Sequence, residues 1–272
     1  MAERTRLAVL GSPIAHSKSP AIHRAAYAAL GVDWTYEAVD ITGEQLAEFV
    51  SDCDASWRGL SLTMPLKRDI LPLLTARDPL VDKVGGANTV LFDDGVRGFN
   101  TDVYGVIRSF ADVGVTSLHS AQVLGAGATA ASVIVAVAEM GARQVLVSAR
   151  TPAKAEYLLE LGARLGISLS VAPLAESSGM PDAIVSTLPG GSKVPSFAEA
   201  TRASAVLFDV AYDPWPSELA KAWDAAGGTV IPGIELLINQ AVGQIRIFLN
   251  GDATVPLPNE TAVVAAMRAA VS

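Results

Sequence analysis

The stretch Ser120-Ala121-Gln122-Val123-Leu124-Gly125-Ala126-Gly127-Ala128-Thr129-Ala130 decides the fold. It reads as a short apolar strand, Ser120 to Leu124, that turns sharply into a helix from Thr129 to Met140, stopped by Gly141. Gly125 permits the abrupt exit from the strand, Gly127 lets the main chain approach a pyrophosphate, and the small Ala130 lets the helix lie close on the sheet. The amides at the helix start, including those of Ala126, Ala128 and Thr129, then face the anion together with the positive end of the helix dipole. Gln144 to Ala149 is the next strand. A lone G-x-G-x-x-A has many chance matches, but the strand–turn–helix–strand context marks a dinucleotide site.

The residue about 20 positions beyond the turn selects the nucleotide. An acid there would bond a ribose 2′-hydroxyl and repel a phosphate; this strand ends instead in Arg150-Thr151-Pro152-Ala153-Lys154. Thr151 reads as an N-cap with Pro152 as the first helical residue, which aims a second helix start at the same place. The Arg150 guanidinium can fork onto a 2′-phosphate and Lys154 adds a point charge one turn later, so the expected cofactor is NADP. The alternative account of the same residues is a capped helix with two solvated cations.

The chain has 272 residues, half of them apolar, and carries a formal charge of −8. That length holds one large domain or two ordinary ones. The acidic balance argues against nucleic acid as a partner. A single cysteine, Cys53, excludes an internal disulfide and suits a reducing cytoplasm. The N-terminal stretch lacks the basic and apolar regions of a signal peptide, and no apolar run approaches the ~18–20 residues of a membrane helix. The expectation is a cytoplasmic protein with no membrane partner and no metal.

The first hundred residues alternate strand and helix. Leu7 to Leu10 is a strand, Ser19 caps a helix from Pro20 to Leu30 closed by Gly31, Trp34 to Val39 is a strand, and Thr42 to Ser51 a helix. Gly59 to Met64 is a third strand, cut by Pro65. Thr89 to Phe92 and Val96 to Phe99 flank the hairpin signal Asp93-Asp94-Gly95. Beyond the glycine turn, Ser168 to Val171, Ala183 to Ser186, Val206 to Asp209 and Thr229 to Pro232 continue a doubly wound parallel sheet. Glu235 to Leu249 and Ala262 to Ala270 are helices. The fold class is therefore α/β in two domains with a cleft between them. Residues 1–103 form an N-terminal α/β substrate domain completed by helices in 235–272, and residues 104–234 form a Rossmann-type NADP-binding domain.

A nicotinamide enzyme acting on an alcohol needs a group that moves the hydroxyl proton as the hydride moves. His16, His23 and His119 offer weak contexts for it. Lys67, after Ser61-Leu62-Thr63-Met64-Pro65-Leu66, forms a better constellation with Asn88 and Asp102, because desolvation can lower a lysine's proton affinity. Each residue also has a plainer account: Lys67 as a surface lysine, Asp102 as a turn residue capping the next helix, Ser19 as an N-cap.

The ordered stretches Gly11-Ser12-Pro13-Ile14-Ala15-His16-Ser17-Lys18-Ser19-Pro20, Leu62 to Lys67, Gly86-Ala87-Asn88-Thr89 and Gly98 to Asp102 resemble the signatures of the shikimate dehydrogenase family. The resemblance continues through Gly125 to Ala130, Arg150-Thr151, Asp209 to Pro214 and Gly233 to Ala241. It implies that Ser17 and Ser19 bind the substrate carboxylate, and that Thr63, Lys67, Asn88, Asp102 and Gln240 hold ring hydroxyls. It further implies that Lys67 and Asp102 are the catalytic pair, and that Tyr212 and Gly233 lie at the nicotinamide end. The implied reaction is the reversible NADPH-dependent reduction of 3-dehydroshikimate to shikimate, in chorismate and aromatic amino acid biosynthesis. The chain departs from the family pattern at Ala149, where an asparagine is frequent, at Lys154, at Leu236-Leu237 and at Phe248; no implied catalytic position is altered.

Two other readings compete. A quinate/shikimate dehydrogenase would favour NAD, against which Arg150 argues. A non-catalytic NADP-binding sensor would have no need of both Lys67 and Asp102. The signatures at Ser17 to Pro20 and Asn100 to Asp102 favour the shikimate reading over a methylenetetrahydrofolate dehydrogenase. A homodimer is the favoured assembly.

Overall fold

Two six-stranded sheets, each with its own strand order, organise the chain. The computed structural model describes residues 5–174 and 179–272. They divide into two units, one holding the residues up to Thr101 together with Ile238–Ser272, the other Asp102–Leu237.

The first unit contains β1 (Thr5–Gly11), α1 (Ser19–Leu30), β2 (Trp34–Asp40), α2 (Gly43–Ser51), β3 (Trp57–Leu62), α3 (Leu66–Asp69), β4 (Ala76–Arg77), α4 (Pro79–Val84), β5 (Thr89–Phe92) and β6 (Val96–Phe99). Its sheet order is β2-β1-β3-β5-β6-β4. The strands β1, β2 and β3 run parallel, and β5 runs antiparallel to both β3 and β6. Central β1 buries five consecutive residues from Leu7 onward, as a parallel strand covered on both faces must. Its core joins Leu10, Leu60, Leu62 and Val90 to Leu66 and Ile70 beyond β3. Gly59 is required here: a Cβ at that position would stand 2.4 Å from the Val90 carbonyl oxygen and 2.6 Å from the Phe248 ring.

The second unit runs α5 (Asp102–Asp112), β7 (Ser120–Leu124), α6 (Ala128–Glu139), β8 (Gln144–Ala149), α7 (Tyr157–Leu165), β9 (Ser168–Pro173), β10 (Ala183–Ser186), α8 (Glu199–Ser204), β11 (Val206–Asp209), α9 (Glu218–Ala225) and β12 (Val230–Pro232). The sheet is wholly parallel in the order β12-β11-β10-β7-β8-β9. Strand order reverses between β7 and β10, which is the topological switch point where doubly wound sheets take their ligands. The helix α10 (Gly233–Asn250) starts in this unit and continues into the first, where α11 (Glu260–Ala269) follows.

Most strands fall where the sequence places them; β3 stops at Leu62, two residues short of the expected end. The segment from Leu66 to Val84 holds α3, β4 and α4, for which the sequence reading has no elements. Asp78 starts α4 by accepting the Leu80 amide at 2.9 Å.

Candidate active site

The glycine turn has its donors and acceptors sorted. Gly125 sits at φ 105°, a conformation that disfavours a side chain, and a Cβ there would stand 2.5 Å from Thr187 Oγ1. The carbonyls are taken from behind. Leu124 O accepts the Thr187 amide and hydroxyl at 2.8 and 2.9 Å, Ala126 O accepts the Tyr157 hydroxyl at 2.7 Å, and Gly127 O accepts the Ala131 amide at 3.3 Å. Gly127, the N-cap of α6, offers no side-chain cap, and nothing lies within 4 Å of where its Cβ would be. Among the described residues, the amides from Ala126 to Ala130 have no hydrogen-bond acceptor. Five unsatisfied N–H groups beside open space at a helix start fit the pyrophosphate of a dinucleotide.

Beyond β8 the chain differs from expectation. Thr151 makes no side-chain cap, and Pro152–Ala155 is a single 3-10 turn; the α-helix begins only at Tyr157. The turn's i→i+3 bond, Lys154 N to Thr151 O at 3.0 Å, takes the place of the expected second helix start. Arg150, Thr151 and Lys154 are exposed. The 2′-phosphate assignment therefore rests on the Arg150 and Lys154 charges.

The loops after the other strands of this sheet close on one another through glycines. A Cβ at Gly190, after β10, would lie 2.2 Å from the Asp213 carbonyl oxygen, and one at Gly233, after β12, 2.1 Å from that of Val210. Tyr212 lies in this loop between Val210 and Asp213, partly buried, its hydroxyl pKa raised by desolvation and then by the Asp213 charge. Asp209, buried at the end of β11, accepts from Ser217 Oγ, and Ser217 in turn accepts the Ala220 amide to cap α9.

In the first unit the buried Asn88 and Gln240 are joined. Asn88 Oδ1 accepts the Thr101 amide at 2.9 Å, which fixes its Nδ2 as the donor to Thr101 Oγ1 at 2.9 Å and to Gln240 Oε1 at 3.3 Å. With its oxygen turned to Asn88, Gln240 has its Nε2 as its donor end. Behind this pair stands Gln244, one turn along α10. Its Nε2 donates to the Asn88 carbonyl at 3.0 Å, and its Oε1 accepts Ser61 Oγ at 2.9 Å, itself an acceptor for the Tyr36 hydroxyl at 2.7 Å.

His23 completes the network. Its Nε2 lies 3.2 Å from Gln244 Oε1, so that nitrogen carries the proton, and Nδ1 accepts the Tyr27 hydroxyl at 3.2 Å. Its ring stacks on Tyr36 at 3.9 Å. Complete burial lowers the His23 pKa to about 3, against a smaller opposing effect of the Gln244 bond. The imidazole is neutral and structural, in keeping with its weak standing as an acid–base candidate.

Ser17, Ser19, Thr63 and Lys67 also belong to the first unit. Ser17 Oγ accepts the Ser19 amide at 3.3 Å, and Lys18 rather than Ser19 is the N-cap of α1. The N-cap account of Ser19 is thereby removed. Lys67 lies in α3, partly buried, where its carbonyl oxygen accepts the Ala87 amide at 2.8 Å; a Cβ on Gly86 would come within 3.2 Å of that oxygen. Asp102, buried, is the first residue of α5 and so opens the second unit. Thr101, Gln244, Ser61, Tyr36, Thr187 and Tyr157 take part in these arrangements without having been read from sequence. Only Gln244 carries a local signal, being four residues from Gln240 on the same helix face.

A switch-point glycine turn stripped to its amides defines a dinucleotide-binding α/β protein. Residues 9–90 match the family model for the shikimate dehydrogenase substrate binding domain. The NADP(+) shikimate dehydrogenase of Methanococcoides burtonii is 33% identical over 263 residues, spanning 93% of this chain and 96% of that protein. A solved shikimate 5-dehydrogenase from Mycobacterium fortuitum superposes with a TM-score of 0.84 at 38% identity, over 100% of this chain and 99% of that one. That of Thermus thermophilus, solved in complex with NADP(H) and shikimate, gives 0.83 at 32% identity over 98% and 99%. The chain belongs to the shikimate dehydrogenase family.

Proposed function

We propose that this chain reduces 3-dehydroshikimate to shikimate, reversibly and with NADPH, as a step toward chorismate and the aromatic amino acids. The observation that carries the reading is the Asn88–Gln240 pair, in which two amides 152 residues apart meet with their donor and acceptor ends fixed. Both Asn88 Nδ2 hydrogens go to Thr101 and Gln240, which makes the Gln240 Nε2 the donor end suited to a ring hydroxyl, and the pair stands in a unit whose residues 9–90 match the substrate-binding family model.

The roles follow from chemistry. Ser17 and Ser19 offer hydroxyls to the substrate carboxylate, and Thr63, Asn88 and Gln240 hold ring hydroxyls. When bound, NADPH supplies the hydride to the ketone carbon. Lys67 delivers the proton to the carbonyl oxygen as it becomes a hydroxyl, and takes it back in the reverse direction. Asp102 pairs with the same hydroxyl and keeps it oriented. The amides of Ala126 to Ala130 bind the pyrophosphate, Arg150 and Lys154 the 2′-phosphate, with Thr151 beside them, and Tyr212 and Gly233 lie at the nicotinamide end. On this reading the domain of residues 1–103, completed by 235–272, binds substrate, and residues 104–234 bind NADP. A cytoplasmic homodimer completes the proposal; among the described residues no helix is long and apolar enough to cross a membrane.

Initial rates with shikimate and quinate, each against NADP and NAD, test it. Highest kcat/KM with shikimate and NADP is expected. A preference for quinate with NAD would replace this reading with the quinate/shikimate one, and no turnover in any combination would replace it with the sensor.

A further inference from the structure

Three residues donate to the carbonyls of the glycine turn, and two of them are Thr187, beyond β10, and Ala131 of α6 itself. The third is a side chain from elsewhere. Tyr157, the first residue of α7, sends its hydroxyl to the Ala126 carbonyl at 2.7 Å, with Gly127 O at 3.4 Å. The residue remains 36% exposed, so apolar burial alone does not explain its placement.

The bond matters because of what the Ala126 carbonyl would otherwise do. It belongs to the same run of peptides as the five unsatisfied amides. A carbonyl that swung toward the anion would place a partial negative charge against a pyrophosphate, while the Gly127 N–H of the same peptide plane turned away. A hydroxyl donated from behind holds that oxygen back. Tyr157 also follows closely on the turn that carries Lys154, with Arg150 just before it. One hydrogen bond thus ties the pyrophosphate-binding turn to the segment that bears the 2′-phosphate charges, across 31 residues.

We propose that Tyr157 is a positioning residue for the dinucleotide: its hydroxyl pins the Ala126–Gly127 peptide with the N–H toward the pyrophosphate. This rests on the dinucleotide reading of the turn. Because the pyrophosphate is common to both nucleotides, the hydroxyl serves NADP and NAD equally, unlike Arg150.

Direct binding of NADP and of NAD by calorimetry to the whole chain and to Tyr157→Phe and Tyr157→Ala tests it without turnover. Tyr157→Phe keeps the exposed ring and removes one hydroxyl. Both dissociation constants are expected to rise about three- to tenfold, the size of one neutral hydrogen bond, with the ratio of NADP to NAD affinity unchanged. Tyr157→Phe binding both nucleotides as tightly as the unaltered chain overturns the proposal, including the case in which only Tyr157→Ala weakens and the ring alone matters. Weakening confined to NADP overturns it in favour of a role at the 2′-phosphate. If the unaltered chain binds neither nucleotide, the reading of the turn fails first and the proposal falls with it.

Discussion

Gln244 donates its amide to the carbonyl of Asn88 at 3.0 Å, and that contact orients the rest of its side chain. A carbonyl can only accept, so Nε2 must face Asn88 and Oε1 must face Ser61 and His23. Replacing Gln244 by Leu would take the acceptor from the buried Ser61 hydroxyl and the buried His23 N–H. The expected cost is about 2–6 kcal/mol of stability, at roughly 1–3 kcal/mol for each of the two orphaned groups, read by urea unfolding. The Asn88 carbonyl would keep the Leu62 amide but lose the donor that ties it to α10. The KM for shikimate should therefore rise while NADP affinity stays put; an unchanged KM would confine Gln244 to stability.

His23 makes stability depend on acid. Its folded pKa of about 3 lies below the ordinary 6.5 of the unfolded chain. Above about pH 6.5 neither state is protonated and this contribution is complete. As pH falls from 6.5 toward 3 the unfolded state takes up the proton first, and stability is lost at on the order of 1 kcal/mol per pH unit. His23→Leu lacks this slope. Unfolding free energies of both chains at pH 7.5, 6 and 4.5 should converge as pH falls; parallel curves would show that the imidazole does not titrate this way.

Removing the Lys67 amine should stop chemistry more than binding. Lys67→Ala is expected to hold shikimate within a few-fold of the unaltered affinity and to lose roughly 10²–10⁴ in turnover, the range of acid–base catalysis. Calorimetry and initial rates separate the two. Near-normal turnover would take Lys67 out of the mechanism.

Arg150 is exposed, and its expected work begins only when a 2′-phosphate arrives. Arg150→Ala should raise the KM for NADP about ten- to hundredfold, the value of a charge-assisted bond, and leave NAD nearly unchanged. Equal effects on both nucleotides would refute the 2′-phosphate assignment.

Gly125 at φ 105° leaves room for no side chain, with Thr187 Oγ1 2.5 Å from the Cβ position. Gly125→Ala is expected to cost roughly 1–3 kcal/mol and to abolish dinucleotide binding, visible as a lower Tm that NADP no longer raises.

The parallel sheet was legible because its strands are apolar runs punctuated by glycine, and periodicity together with punctuation is local information. The segment from Leu66 to Val84 was not. Its elements are four, two and six residues long, and they exist through contacts such as Ala87 N to Lys67 O rather than through a period of their own. The candidate site residues, with hydroxyl, amine or amide groups in ordered motifs, are named in the sequence through the family resemblance. The supporting shell is not, since His23 and Gln244 meet across 221 residues and Tyr157 reaches its carbonyl across 31. Thr151 departs from its expected capping role because a threonine before a proline looks the same ahead of a 3-10 turn as ahead of an α-helix.

The chain leaves the first unit at Thr101 and returns to it at Ile238. On a ribosome this sets an order of events. All the strands of the dinucleotide-binding sheet emerge, and can pair, while Asn88 still lacks both Gln240 and Gln244. The earlier-made unit is the later one to be finished: its buried polar network stays open until α10 is released.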